Sequence, residues 1–374
     1  MKSSRERAMV PPADFRSYYG RPVLKAPVWN AQEIGGYFFL GGLAGGSALV
    51  AAGADLTGRT GLRRATRLIA AGATGLSYAA LIHDLGRPSR FIHMLRVIKP
   101  TSPMSVGTWL LSGFGSMIAL TAAGEASAVV PPRLSRAAGL GAGLLAPALV
   151  TYTGVLIADT AVPVWHEAHR EMPYIFGASA LAAAGGLAAA TSPTAEAAPA
   201  RAIGVLGVVA EQAVEHTLRR RLGIVAEPLT QGRAGRFITA ARWTSRAGAA
   251  LLAASAVRRS RTLDVAGGLA LAAGSLLMRL GYVHAGTASA QDPRYTVEPQ
   301  RNNGLDVAAG GRGALGGVQA AQAGLDARGS DAAVRDHPRQ APDRVERAED
   351  RDAVARHRAG QEHGAAQGRH QRPA

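Results

Sequence analysis

Apolar residues along this chain are gathered into long runs between about residues 33 and 285, and a polar stretch follows them. A hydrocarbon core about 30 Å thick is crossed by about 20 helical residues. Runs of that order, bounded by charges or prolines, lie at 34–54, 68–85, 104–123, 137–158, 173–190, 202–218, 239–257 and 263–283. The pattern predicts an all-α integral membrane fold with eight transmembrane helices. The sixth and seventh runs are the weakest, because Glu211 and Glu215 interrupt one while Arg242 and Arg246 load the start of the other. A count of seven is the alternative. Short connections suit a helical bundle, but those at 84–103 and 219–236 are longer and richer in charge, which makes them candidate docking surfaces. After Asp292 the chain turns to Arg, Ala, Gly, Gln, Asp and His, with no aromatic beyond Tyr295. Such composition predicts a disordered polar tail. The expected organisation is a juxtamembrane segment at 1–30, a transmembrane domain at 31–290 and the tail at 291–374.

Composition changes this picture in three places. Mean hydropathy is only +0.05, a value that averages the apolar stretch with the tail. The 46 glycines and 5% aromatic content suit helices whose backbones approach closely in lipid. A net charge of +16 would suggest nucleic acid in a soluble protein; here the arginines cluster in loops and in the tail, where topology and anionic headgroups account for them without nucleic acid. The absence of cysteine excludes an all-thiolate iron-sulfur cluster, covalent c-type haem, thiol catalysis and disulfides. No protein-ligated metal is expected in this chain. Residues 1–29 carry charges and prolines rather than a continuous apolar core, so the first helix is expected to act as its own insertion signal.

Three stretches carry candidate chemistry. The first helix opens with Ala31-Gln32-Glu33-Ile34-Gly35-Gly36-Tyr37 and continues through Gly41, Gly42, Gly45 and Gly46. Gly42 and Gly46 make a flat face for another helix or for a planar ring, and Glu33 and Tyr37, four residues apart, share a face near one membrane surface. The second stretch is Leu81-Ile82-His83-Asp84-Leu85-Gly86-Arg87-Pro88 with Arg90-Phe91, followed by Thr101-Ser102-Pro103-Met104-Ser105-Val106-Gly107-Thr108-Trp109. Gly86 and Pro88 are expected to stop the second helix and Pro103 to start the third, leaving His83 and Asp84 at the interface where charge is tolerated. An interfacial turn held by Asp84 and Arg87 accounts for the same residues. The third stretch is Tyr152 to Asp159, then Pro163-Val164-Trp165-His166-Glu167. Haem is disfavoured because His83, His93, His166, His169 and His284 fall at expected helix ends or in loops rather than deep in facing helices.

A glycine-rich first helix, then DLGRP with RF, then SPMSVGTW, resembles the NrfD-type membrane subunits of polysulfide reductase and its relatives, over most of residues 28 to 285. The resemblance implies a bundle of two four-helix halves, with a quinone (menaquinone or ubiquinone) bound in the first half beside a ferredoxin-like iron-sulfur subunit. It also implies a molybdopterin subunit that holds the terminal substrate, and a multi-pass location in the bacterial inner membrane. Tyr152 matches the family's quinone-bonding tyrosine; a phenol suits that role because it can donate to a carbonyl or accept from a hydroxyl. Glu33 and Tyr37 fall where some members carry Asn and His, and His83 completes the expected quinone contacts. Quinone reduction consumes protons, so Asp84 and Asp159 are expected relay groups, although Asp159 alternatively caps its helix. Arg87 and Arg90 are expected to dock the partner. Glu211 and Glu215 must pair, face a cavity or lie near a helix end beside Arg219, Arg220 and Arg221; some relatives have a conductive second half. The expected function is therefore a quinone-reactive membrane anchor of a multi-subunit oxidoreductase. Its rivals are a secondary transporter or ion-conducting protein and a purely structural anchor.

Overall fold

The computed structural model describes residues 24–299 except 26, 28, 86, 88 and 128. The expectations for residues 1–23, for the tail from residue 300 and for Gly86 and Pro88 lie outside the described residues. Among those described there are ten α-helices and no strand. They are α1 (Ala31–Leu56), α2 (Thr60–Asp84), α3 (Ser89–Met94), α4 (Pro103–Ala126), α5 (Pro132–Ala158), α6 (Pro163–Glu167), α7 (Met172–Thr191), α8 (Ala198–Leu222), α9 (Gly232–Arg258) and α10 (Arg261–Gln291). A 3-10 turn, Gly223–Leu229, links α8 to α9.

Six of these helices, α1, α2, α4, α5, α7 and α10, are long and apolar enough to cross a membrane. The protein is a multi-pass integral membrane protein. The other two long helices, α8 and α9, coincide with the two weakest hydrophobic runs and fall outside that set. Several long helices extend past the apolar runs that announced them where charges at their ends are taken up by partners. α2 begins at Thr60 rather than at residue 68: Arg63 reaches Asp55 at 3.2 Å and buried Arg67 reaches Glu125 at 2.8 Å. Arg136 closes on Asp55 from α5 at 3.3 Å. α8 starts around Arg201, whose guanidinium grips Asp264 of α10 through two bonds of 2.7 and 2.6 Å. At the far end of α8, Glu215 accepts from Arg219 and from Arg242 of α9. Arg221 meets Glu171 at 2.6 Å. Removing one member of a buried pair strands the other charge, at a cost of about 3–5 kcal/mol; these pairs therefore fix where each helix must end.

The long helices pack as two groups, α1, α2, α4 and α5 on one side and α7 to α10 on the other, and α1 touches both. Two adjacent glycines make that position possible. A Cβ on Gly45 would lie 2.8 Å from Val150 Cγ1 of α5, and one on Gly46 would lie 2.8 Å from the Ala180 carbonyl oxygen of α7. Lipid offers no hydrophobic drive between helices, so close backbone contact supplies the attraction instead.

A buried cation secures the same junction. Arg279 in α10 is fully buried. It donates to the carbonyls of Phe38 in α1 (3.0 Å) and Phe176 in α7 (3.1 Å), to Ser275 O (3.1 Å) and to Ser179 Oγ (3.2 Å). Its guanidinium carbon sits 5.3 Å from the centre of the Phe176 ring. With Ser275 Oγ at 2.5 Å, five acceptors and an aromatic face replace its water shell, and Gly42 leaves room for it in α1.

Gly46→Leu is expected to destabilise the purified protein in detergent by about 1–3 kcal/mol, since the added side chain has nowhere to go. Gly72→Ala, where a Cβ meets nothing within 4 Å, should be neutral or gain about 0.5–1 kcal/mol through helix propensity. Thermal unfolding of the two variants beside the parent checks this; equal melting would contradict the packing argument.

Candidate functional site

The polar groups singled out along the sequence converge on the end of the first group where α1 starts and α2 finishes. Asn30 caps α1 by accepting from Gln32 N at 3.0 Å, and its amide donates to Glu33 at 3.3 Å. That fixes the Glu33 carboxylate on the first turn, half-buried, where Nδ1 of the exposed His83 in the last turn of α2 lies 3.7 Å away. One turn deeper, Tyr37 packs against both the apolar cluster of the first group and that of the second.

Tyr37 has two phenolic neighbours, Tyr152 of α5 and Tyr78 of α2. Both are seated by glycines of α4. A Cβ on Gly107 would overlap the Tyr152 ring, and a Cβ on Gly115 would lie within the Tyr78 phenol. Tyr78 then donates to the Leu111 carbonyl at 2.8 Å and meets Phe91 of α3 edge-on, with ring centres 5.7 Å apart. The Tyr37 and Tyr152 hydroxyls make no hydrogen bond to another described residue. Two half-buried phenols with unused donors thus lie in one neighbourhood, with a carboxylate and an imidazole nearer the membrane surface.

The connection between α3 and α4 is tied over this end. Trp109 Nε1 donates to the Val97 carbonyl at 3.1 Å, and Ser105 Oγ donates to the same carbonyl at 2.8 Å while accepting from Lys99 N at 3.0 Å. Arg90 donates back to the Leu85 carbonyl at 2.9 Å. Around it, Ile92, Val97, Ile98 and Met104 are exposed apolar side chains.

Of the residues expected at the site, Glu33, Tyr37, His83 and Tyr152 are brought into one neighbourhood. Asp84, Arg87 and Arg90 are exposed at its rim. Asp159 caps the end of α5, its N–H bonded to the Val155 carbonyl at 3.0 Å, with its side chain exposed. His284 departs from its expected place at a helix end or in a loop: it lies within α10, stacked on Phe237 with ring centres 5.4 Å apart. Tyr78 was missed by sequence reasoning. Its signal was present in Gly107 and Gly115, two small residues on one face of α4 that each receive a ring.

The second group holds polar residues of a different kind. Glu211 and the Tyr282 hydroxyl are buried, and neither Glu211 Oε2 nor Tyr282 Oη has a hydrogen-bond partner. Glu215 resolves the choice left open for it by pairing with arginines at the helix end. No group of three or more His, Asp or Glu side chains able to hold a metal occurs among the described residues.

Fold and site together define a polytopic helical membrane protein in which Glu33, Tyr37, His83 and Tyr152 gather at one end of its first four long helices. Residues 23–198, a little under half of the chain, match the family model described as Polysulphide reductase, NrfD, and over that stretch the protein is similar to that family. The match contains α1 to α7, and with them every residue of the site; it stops at the first residue of α8, short of the wider span that the sequence resemblance suggested. No curated protein matches the chain.

Proposed function

We propose that this chain is the quinone-reactive membrane subunit of a multi-subunit oxidoreductase, with eight membrane-crossing helices, the last-but-two and last-but-one of them being α8 and α9. The carrying observation is the pair of unpartnered phenols, Tyr37 and Tyr152, which lie near one another, with Tyr152 seated in the space that Gly107 leaves. A quinone supplies two-electron, two-proton chemistry, which a chain without cysteine, and with no metal-binding cluster among its described residues, does not supply itself. Half-buried phenols with free donors suit its head group.

In this reading Tyr152 donates to a ring carbonyl and Tyr37 lines the opposite wall, each phenol also able to accept from the hydroxyl of the reduced form. Glu33 and His83, 3.7 Å apart, hold a proton between them and pass it toward water. Asp84 and Asp159, exposed at the same end, are the outer proton acceptors. The low dielectric around the phenols strengthens each hydrogen bond they make to bound quinone.

Electrons enter or leave through partner chains. An iron-sulfur subunit docking on the α3 to α4 connection would meet Arg87 and Arg90 and the exposed apolar side chains beside them, a mixed patch suited to a protein interface. A molybdopterin subunit beyond it would hold the terminal substrate, and the assembly would sit in the bacterial inner membrane.

A second reading, ion conduction through α7 to α10, is favoured by one observation: the buried carboxylate of Glu211 with an unpartnered oxygen near Arg279. Buried membrane acids mark ion pathways often enough to require a test. Weighing against a secondary transporter, the two groups of helices show no sequence symmetry.

In the intact complex, Tyr152→Phe should slow quinol-driven reduction of the iron-sulfur centres by on the order of tenfold or more while leaving the assembly intact. Gly107→Ala, which drives a methyl group into the same ring, should act in the same direction. Electron paramagnetic resonance of the clusters after addition of a quinol analogue measures both. Unchanged reduction in Tyr152→Phe would reduce the chain to a structural anchor, and ion uptake into liposomes by this subunit alone, abolished in Glu211→Gln, would move the function to the second group.

A further inference from the structure

Two cavities on the outer side of the junction between the helix groups share a wall. One, of about 320 Å3, is lined by Val50, Gly53, Ala54, Thr57, Arg59 and Pro199 among others. The other, of about 520 Å3, is lined by Val150, Thr151, Tyr174, Gly177, Ala210 and Val214 among others. Leu49, Leu181 and Ile203 line both, so the two form one groove. On α8 it follows Pro199, Ile203, Gly207, Ala210 and Val214, a single helix face; at 1.5 Å per residue that is a length of about 22 Å. Leu206 and Tyr174 on its margins are exposed, so it opens sideways.

The groove has one charged end. Arg59 sits in the turn between α1 and α2, and among the described residues no carboxylate pairs with it. Its neighbours are committed elsewhere: Arg63 to Asp55, Arg67 to Glu125, and the Glu196 carboxylate to the Leu62 N–H at 2.9 Å. Below that end, every lining side chain except Thr57, Thr151 and Tyr174 is apolar or absent. A cation at the membrane surface above an apolar channel parallel to the helices is complementary to a molecule with an anionic head and a long hydrocarbon chain. An uncharged isoprenoid has no use for Arg59.

We propose that this groove binds an anionic glycerophospholipid, its phosphate at Arg59 and one acyl chain along α8. The lipid touches α1, α5, α7 and α8, and so bridges the two helix groups on the side where Arg279 does not. This site is separate from the phenols of Tyr37 and Tyr152 and does not depend on what they bind.

The test uses the purified full chain, stripped of lipid in mild detergent and titrated with phosphatidylglycerol or phosphatidylcholine, with bound lipid counted by native mass spectrometry. The parent should prefer phosphatidylglycerol by about fivefold, the contribution of one interfacial arginine. Arg59→Gln should lose that preference while still binding both lipids weakly. Gly53→Leu fills the groove from a position where a Cβ meets nothing within 4 Å; it should keep the parent's melting temperature and bind neither lipid there. Equal binding of the two lipids by the parent, or an undiminished preference in Arg59→Gln, would overturn the proposal. So would finding an isoprenoid as the molecule that Gly53→Leu displaces.

Discussion

Helices in a bilayer gain little by hiding apolar surface from one another, because the lipid around them is equally apolar. What this structure depends on is close approach of backbones, and α1 is where the demand is greatest. Gly45 admits α5 and Gly46 admits α7, so a single helix lies in contact with both groups. The next consequence is geometric. A helix held on both sides has little freedom to rotate, and its polar residues are therefore aimed: Glu33 and Tyr37 toward the end of α2 and toward α5, the Phe38 carbonyl toward Arg279.

Charge placement follows from the same solvent. A charge in hydrocarbon must be paired, surrounded by acceptors or carried to a surface, and the chain uses each solution in a different place. Arg201 with Asp264, and Arg67 with Glu125, are paired at one end of the helices. Arg279 is surrounded. Glu33, His83, Asp84 and Asp159 are carried to the other end, where water is available to exchange protons. Arg221 with Glu171, and Glu215 with Arg219 and Arg242, hold helices at that same end, but as partners of one another rather than of Glu33, His83, Asp84 or Asp159.

Eight apolar runs were legible as helices, and the glycine-rich face of α1 was legible as a packing surface, since both follow from residue type and spacing alone. The helix ends were not. α2 starts at Thr60 because Arg63 and Arg67 find acids in α1 and α4, a relation between distant segments that a count of apolar residues treats as interruption. For the same reason α8 and α9 read as weak: Glu215, Arg242 and Arg246 lower their hydropathy although two of the three satisfy each other. At the site, Glu33, Tyr37, His83 and Tyr152 came from motif and resemblance, whereas Tyr78 needed α4 in place to reveal that Gly115 receives its ring. Arg279 carried no motif. Its burial is explained by acceptors that other helices contribute, among them the carbonyls of Phe38 and Phe176.

In the proposed function a quinone ring lies among α1, α2, α4 and α5. Illumination of the intact complex with a photoreactive azido-quinone, followed by peptide mapping of the labelled chain, addresses it directly. The account predicts labels on the segments that carry Tyr37, Tyr78 and Tyr152, suppressed by excess unlabelled quinone. Labels confined to α8, α9 and α10, or labelling that competitor leaves unchanged, would contradict it.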